Sequence, residues 1–234
     1  MPVLKIILNR LMRLLLSQIT EKNTDRSARM DTLTRELIND AIAQELQLTA
    51  DAVRALCVDI EFEDEYTELA TDLINHREFQ EATQAGHVTY GMVKPHVNTA
   101  KEENKSLSDD EVAEAIISEI ESPLQPTIVR HTFMPEQVAQ IFYDNLRGKR
   151  GSDEIFNRVT EFMSGGAITG LVLLNEEGDA IQEWRNQIGA TNPTEAAEGT
   201  IRKIFADSIE NNVVHGSDSA ENAQREMNIF VGLL

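Results

Sequence analysis

Between residues 3 and 19 the apolar positions Leu4, Ile7, Leu8, Leu11, Leu15 and Ile19 recur at helical spacing, while Lys5, Asn9, Arg13 and Ser17 line the opposite face. The rhythm returns through Leu33, Leu37, Ala41 and Ile42, and again from Thr49, a candidate N-cap, through Val53, Leu56 and Cys57. An acidic run over 59–65 precedes a further expected helix over 66–81. Residues 1–85 carry no glycine and only Pro2, so they read as helix after helix, an N-terminal extension.

From Gly86 onward the pattern changes to short strand-like and helical segments punctuated by glycine and proline. Strands are predicted over 87–93, 127–133, 167–174 and 212–214. A helix starts after Ser108, where Glu111 completes a Ser-x-x-Glu capping box. Pro135 opens another that runs to about residue 146, and further helices are predicted over 153–163, 179–188 and 219–230. The order reduces to βαββαβ with extra helices. It predicts an α+β second domain, 86–234, with a ferredoxin-like antiparallel sheet covered by helices on one face. That topology hosts many activities and names none.

Composition narrows the function. A formal net charge of -19 argues against nucleic acid as a partner, since binding there depends on cations that neutralise phosphates. A small anionic substrate requires a local basic pocket inside the acidic exterior. Cys57 is the only cysteine, which excludes an intrachain disulfide and a zinc cluster and fits a cytoplasmic setting. The segment 3–19 is interrupted too often by Lys5, Asn9, Arg10 and Arg13 for a membrane span, and no signal-peptide pattern is clear. Its amphipathic face suits a membrane surface or a neighbouring subunit, and the breadth of the Leu/Ile stripe favours the subunit. The stretch 43–54 faintly resembles a helix-turn-helix, but Gln47 stands where the turn commonly has glycine, and a plain helical pair is favoured. No GxxxxGK[ST] or GxGxxG occurs, so phosphates would have to be held by side chains.

The most informative segment is Asn212, Val213, Val214, His215, Gly216, Ser217, Asp218, Ser219, which places a histidine where a strand gives way to a glycine turn. N-x-x-H-G-S-D-S resembles the active-site motif of nucleoside diphosphate kinases. Gly189, Thr191, Asn192, Pro193, Gly199, Thr200, Ile201 and Arg202 resemble that family's G-x-T-N-P…G-T-I-R stretch, and Tyr90 to Lys94 and Pro95 resemble its first strand. The resemblance covers about residues 86–234 and is silent on 1–85.

The resemblance implies ping-pong transfer of a terminal phosphoryl group from ATP, through a phosphohistidine at His215, to a nucleoside diphosphate. Neutral imidazole is a suitable nucleophile near pH 7. By the same carry-over Glu226 would orient the imidazole and Ser217 would support Glu226. Arg185 and Arg202 would clamp phosphates, Lys94, Tyr143 and Thr191 would contact phosphate and sugar, and Asn212 would contact the ribose. Mg²⁺ is implied, held mainly by the nucleotide, and so is a homo-oligomer. Three departures stand out. His96 replaces the family's aspartate after Lys94-Pro95, a polar loop fills 98–110, and Ile155 stands where an aromatic packs on the base, with Phe156 beside it. These departures motivate the alternative of a non-catalytic nucleotide-binding or scaffold protein that retains the fold. His76, His87 and His131 lack any such setting and read as ordinary structural histidines.

Overall fold

The computed structural model describes residues 70–95, 108–147 and 152–233. The helices expected before residue 70, His96 and most of the 98–110 loop lie outside the described residues. The chain divides into two units at Phe79/Gln80. Of the expected helix over 66–81, residues 70–75 are helical, a bend falls at His76, and α1 follows as Arg77–Gln84.

The second unit contains β1 (Val88–Val93), α2 (Asp109–Ser118), β2 (Gln125–Phe133), α3 (Glu136–Phe142), a 3₁₀ turn (Asp144–Leu146), α4 (Ser152–Ser164), β3 (Ala167–Leu174), α5 (Ala180–Ile188), α6 (Ile201–Phe205), β4 (Val214–Gly216) and α7 (Ala220–Val231). The strands form one antiparallel sheet in the order β2-β3-β1-β4. With the crossover helices α2 and α5, this is the expected ferredoxin-like βαββαβ fold.

Local chemistry sets the helix starts. Ser108 Oγ accepts from the Glu111 N–H at 3.2 Å while the Glu111 carboxylate accepts from the Ser108 N–H at 2.7 Å, so the predicted capping box forms. Asp179 caps α5 through the Gln182 N–H, and Ser219 caps α7 through the Asn222 N–H. The helix opened by Pro135 ends at Phe142 and tightens into the 3₁₀ turn, rather than running unbroken to residue 146. The short α6 has no counterpart in the sequence reading; five residues are too few for a 3.6-residue period to register.

The sheet is covered on both faces, not one. On the first face Trp184 and Ile188 of α5, Val112 and Ile116 of α2, and Ile201 and Phe205 of α6 pack with Leu171 and Leu173 of β3. On the second, Phe230 of α7 lies against Gly170 and its ring meets Tyr90 at a centroid distance of 5.5 Å. Central strands sandwiched this way carry apolar residues in continuous runs, as β1 and β3 do. The edge strand β2 is only partly buried, and its pairing with β3 slips between Pro126 and Ile128, since proline cannot donate to the ladder.

The last strand also departs from the reading over 212–214. Val213 has φ 57, and the Val214 N–H bonds the Asn212 carbonyl at 2.7 Å, which makes a γ-turn centred on a β-branched residue. No strand passes through that turn. Pairing with β1 starts after it, with Val93↔Val214, Met92↔His215 and Gly91↔Gly216, so His215 occupies the middle of the strand rather than following it.

A Cβ at Gly170 would overlap the buried Phe230 ring. Gly170→Ala is expected to destabilise the fold by about 1–3 kcal/mol in denaturant unfolding. Adding Phe230→Leu should recover part of that loss, because it vacates the space.

Candidate active site

The register of β4 on β1 puts the His215 side chain on the same sheet face as Met92 and Tyr90, the face that α7 covers. There His215 Nε2 lies 2.8 Å from Glu226 Oε2. The same carboxylate oxygen accepts from Ser217 Oγ at 2.6 Å. Ser217 is also tied to β1, its Oγ lying 3.2 Å and its N–H 3.1 Å from the Tyr90 carbonyl. Glu226 is 4 % exposed and Ser217 1 %. A carboxylate that takes protons from both neighbours is an acceptor, so Nε2 carries the imidazole proton and Nδ1 keeps a free lone pair.

Aromatic rings wall the imidazole. Phe142 stands edge-on at a centroid distance of 5.2 Å and Tyr143 at 6.4 Å, with Tyr90 at 6.3 Å. The Tyr143 hydroxyl is buried without a hydrogen-bond partner. Burial and the nearby Glu226 charge push its phenol well above the ordinary range, so it stays a neutral donor.

The cations converge from β1, α5 and α6. Lys94 Nζ donates to Asn212 Oδ1 at 2.6 Å, and its pKa is pulled down to about 7, first by desolvation and then by Arg202. Arg202 is buried; Nη1 donates to the Gly189 carbonyl at 2.8 Å and Nη2 to the Val214 carbonyl at 2.9 Å, leaving Nε without a partner. Desolvation, then the neighbouring Arg185, lowers its pKa to about 10. Gly189 makes this strap possible: its φ of 80 ends α5, and a Cβ there would strike Thr200. Arg185 and Thr191 are exposed. Asp218 is held below the usual carboxylate range, mainly by the Asn222 amide and in smaller part by Arg185.

Most of the residues expected from the sequence thus come together: His215, Glu226, Ser217, Tyr143, Lys94, Asn212, Arg202 and Arg185. Ile155 and Phe156 stand apart from this hydrogen-bonded set, on α4. Ile155 is 47 % exposed, whereas Phe156 is 5 % exposed with the Arg147 guanidinium 4.1 Å above its ring. Two of the remaining described histidines have hydrogen bonds of their own. His87 Nδ1 sits between the carbonyls of Asn175 and Gly178, and His131 bonds Thr169 Oγ1. Among the described residues no three His, Cys, Asp or Glu side chains converge to hold a metal ion.

Sequence reasoning missed three contributors. Tyr90 walls the imidazole, and its two-residue offset from Met92 was the available signal. Arg225 donates to the Ile141 and Phe142 carbonyls and lies 3.9 Å from Glu226, tying α3 to the carboxylate. Trp184 Nε1 donates to the His215 carbonyl at 3.1 Å. An indole in an apolar helix face gives no sign in sequence of where its N–H will point.

A histidine oriented through one nitrogen and free at the other, beside unpaired donors on a ferredoxin-like sheet, is an arrangement of the phosphotransferase class. The profile of one family, nucleoside diphosphate kinase, matches residues 88–233. The chain is 41% identical to the nucleoside diphosphate kinase of Prosthecochloris aestuarii over 117 residues, which is 50% of this chain and 79% of that protein. It is 41% identical to that of Legionella pneumophila over 129 residues, 53% of this chain and 87% of that protein. Among solved structures, the Aquifex aeolicus nucleoside diphosphate kinase is 30% identical, with a TM-score of 0.49 over 62% of this chain and 94% of that one. The chain belongs to the nucleoside diphosphate kinase family. Its reaction is phosphoryl transfer between nucleoside tri- and diphosphates, and this kinship does not favour the alternative of a non-catalytic scaffold.

Lys94 yields a test of the electrostatics. With a pKa of about 7 in the empty site, its ammonium is mostly neutral at pH 8 and mostly charged at pH 6. Bound phosphate favours the charged form, so binding at pH 8 draws a proton from solution and binding at pH 6 draws little. Calorimetry with ADP in buffers of different ionisation enthalpy is expected to show uptake approaching one proton at pH 8. Lys94→Met should abolish it.

Proposed function

We propose that His215 Nδ1 is the atom that carries the phosphoryl group. The observation that carries this reading is the pair of short hydrogen bonds converging on Glu226 Oε2, from His215 Nε2 and Ser217 Oγ. In the first half-reaction the Nδ1 lone pair attacks the terminal phosphorus of ATP. An N–P bond forms, the P–O bond to the leaving diphosphate breaks, and the ring becomes cationic while Nε2–H stays on Glu226. The carboxylate favours that charge as it develops. In the second half-reaction a terminal oxygen of another nucleoside diphosphate takes the phosphoryl group, and the neutral imidazole returns.

The remaining roles follow from what each side chain has left to give. Tyr143 Oη and Arg202 Nε are buried donors without partners, which suits phosphoryl oxygens. Lys94 supplies a cation and Arg185 an exposed guanidinium toward the outer phosphates, and the exposed Thr191 is a further contact to phosphate or sugar. Asn212, whose Oδ1 accepts from Lys94 and whose Nδ2 donates to the Ile209 carbonyl, is taken as the ribose contact from the family resemblance alone. We assign the base contact to Ile155 and not to Phe156, which is covered by Arg147. Mg²⁺ would accompany the nucleotide through its phosphates and water, a fit consistent with a donor set rich in cations and poor in carboxylates; it would neutralise charge on the transferring group.

We further take residues 86–234 as the kinase domain and 1–85 as a helical extension. The enzyme is proposed to work in the cytoplasm as a homo-oligomer, with segment 3–19 available to a subunit or a membrane surface. Among the described residues, no helix is long and apolar enough to cross a membrane.

Incubation with [γ-³²P]ATP is expected to label the protein in an acid-labile, base-stable manner, and His215→Ala should abolish the label. A retained label in that variant would remove His215 from its role. Glu226→Gln, which keeps the shape and loses the charge, should lower kcat roughly 10- to 100-fold, in line with the loss of a charge-assisted hydrogen bond.

A further inference from the structure

We propose that Trp184 is a positioning residue for phosphoryl transfer: its indole N–H holds the His215 carbonyl and so sets where the imidazole stands relative to Arg185, the next residue on α5. The inference rests on the reading of His215 as the phosphoryl carrier. It concerns a side chain on the opposite face of the sheet from the imidazole.

The four carbonyls from Asn212 to His215 are each held by a different group. Asn212 O accepts from the Val214 N–H at 2.7 Å and Val213 O from the Lys94 N–H at 2.8 Å. Val214 O accepts from Arg202 Nη2 at 2.9 Å and His215 O from Trp184 Nε1 at 3.1 Å. The first three restrain the approach to the nucleophile; Trp184 adds a side-chain donor to the peptide of the nucleophile itself, a residue that β4 also pairs with Met92 of β1. β4 is three residues long, pairs on one edge with β1, and follows a strained Val213, so a side-chain donor adds to a short ladder.

Access for the indole depends on two glycines that pair across β1 and β4, Gly91 and Gly216. A Cβ at Gly91 would lie 2.9 Å from Trp184 Nε1, and one at Gly216 would lie 2.6 Å from Cδ1. The missing side chains form a floor on which the ring lies close enough to reach a backbone carbonyl. A buried indole always seeks an acceptor, and a satisfied core tryptophan is the ordinary outcome. What separates Trp184 from that outcome is the acceptor's identity and the chain position. One rigid helix turn carries both the group on the His215 carbonyl and the exposed Arg185 cation. A displacement of an ångström between nucleophile and phosphate clamp is enough to slow transfer.

The test replaces Trp184 with benzothienylalanine, which has the indole's shape with sulfur in place of the N–H, and in parallel makes Trp184→Phe. Single-turnover phosphorylation by ATP, steady-state KM, and the ¹⁵N–¹H indole resonance of the wild type before and after phosphorylation are measured. Trp184 is the only tryptophan, so one resonance reports on it. The isostere is expected to phosphorylate about fivefold more slowly, the effect of one neutral hydrogen bond, with KM changed by less than about twofold. The wild-type indole resonance is expected to shift on phosphorylation. A wild-type rate in the isostere overturns the proposal, even if Trp184→Phe is slow, because volume alone would then matter. An unmoved indole resonance, or a rate loss matched by an equal rise in KM, also overturns it. If wild-type protein takes no label on His215, the reading of His215 fails first, and that result is separate from any effect at Trp184.

Discussion

A carboxylate buried to 4 % exposure is stable as an anion only if its oxygens are met by donors, and the arrangement of the site follows from meeting that requirement at Glu226. Its Oε2 accepts from His215 and Ser217 together. For both to reach it, α7 must lie over β1, β4 must pair with β1 in the register Met92↔His215, and Ser217 must turn back onto the Tyr90 carbonyl. The bond that satisfies the buried charge is the same bond that selects the imidazole tautomer. The fold and the orientation of the imidazole thus share one interaction.

Around that anion the chain assembles cations, against the trend of its overall charge. Lys94 and Arg202 have their pKa values lowered first by desolvation and then by a neighbouring cation, Arg202 beside Lys94 and Arg185 beside Arg202. The Tyr143 hydroxyl and Arg202 Nε are buried without hydrogen-bond partners.

The cations are not equivalent in what they have free. Arg202 spends two of its three nitrogens on the Gly189 and Val214 carbonyls, strapping the end of α5 to β4. It is therefore part of the scaffold of the site. Arg185 is exposed and keeps its fork for solvent or ligand. On the other side, Arg225 ties the end of α3 to the Glu226 neighbourhood and so keeps Phe142 and Tyr143 against the imidazole.

The sequence by itself determined the periodic elements and the identity of most of the chemistry. The capping box at Ser108, the strand Ala167–Leu174 and the cap at Asp179 are local features, written in neighbouring residues and unaffected by what packs on them. His215, Glu226 and the cations were named through the family resemblance, and the fold brings them together in space. Tertiary structure alone decided the remainder. The γ-turn at Val213 is held by the Lys94 N–H and by Arg202 from elsewhere in the chain, and it displaced the last strand by two residues. The second covered face of the sheet depends on where α7 returns. Phe156 turned inward under Arg147, and Trp184 found the His215 carbonyl through a gap left by Gly91 and Gly216. Each of these outcomes is a contact between residues distant in sequence. Periodicity records which face of an element is apolar, not which partner that face will meet.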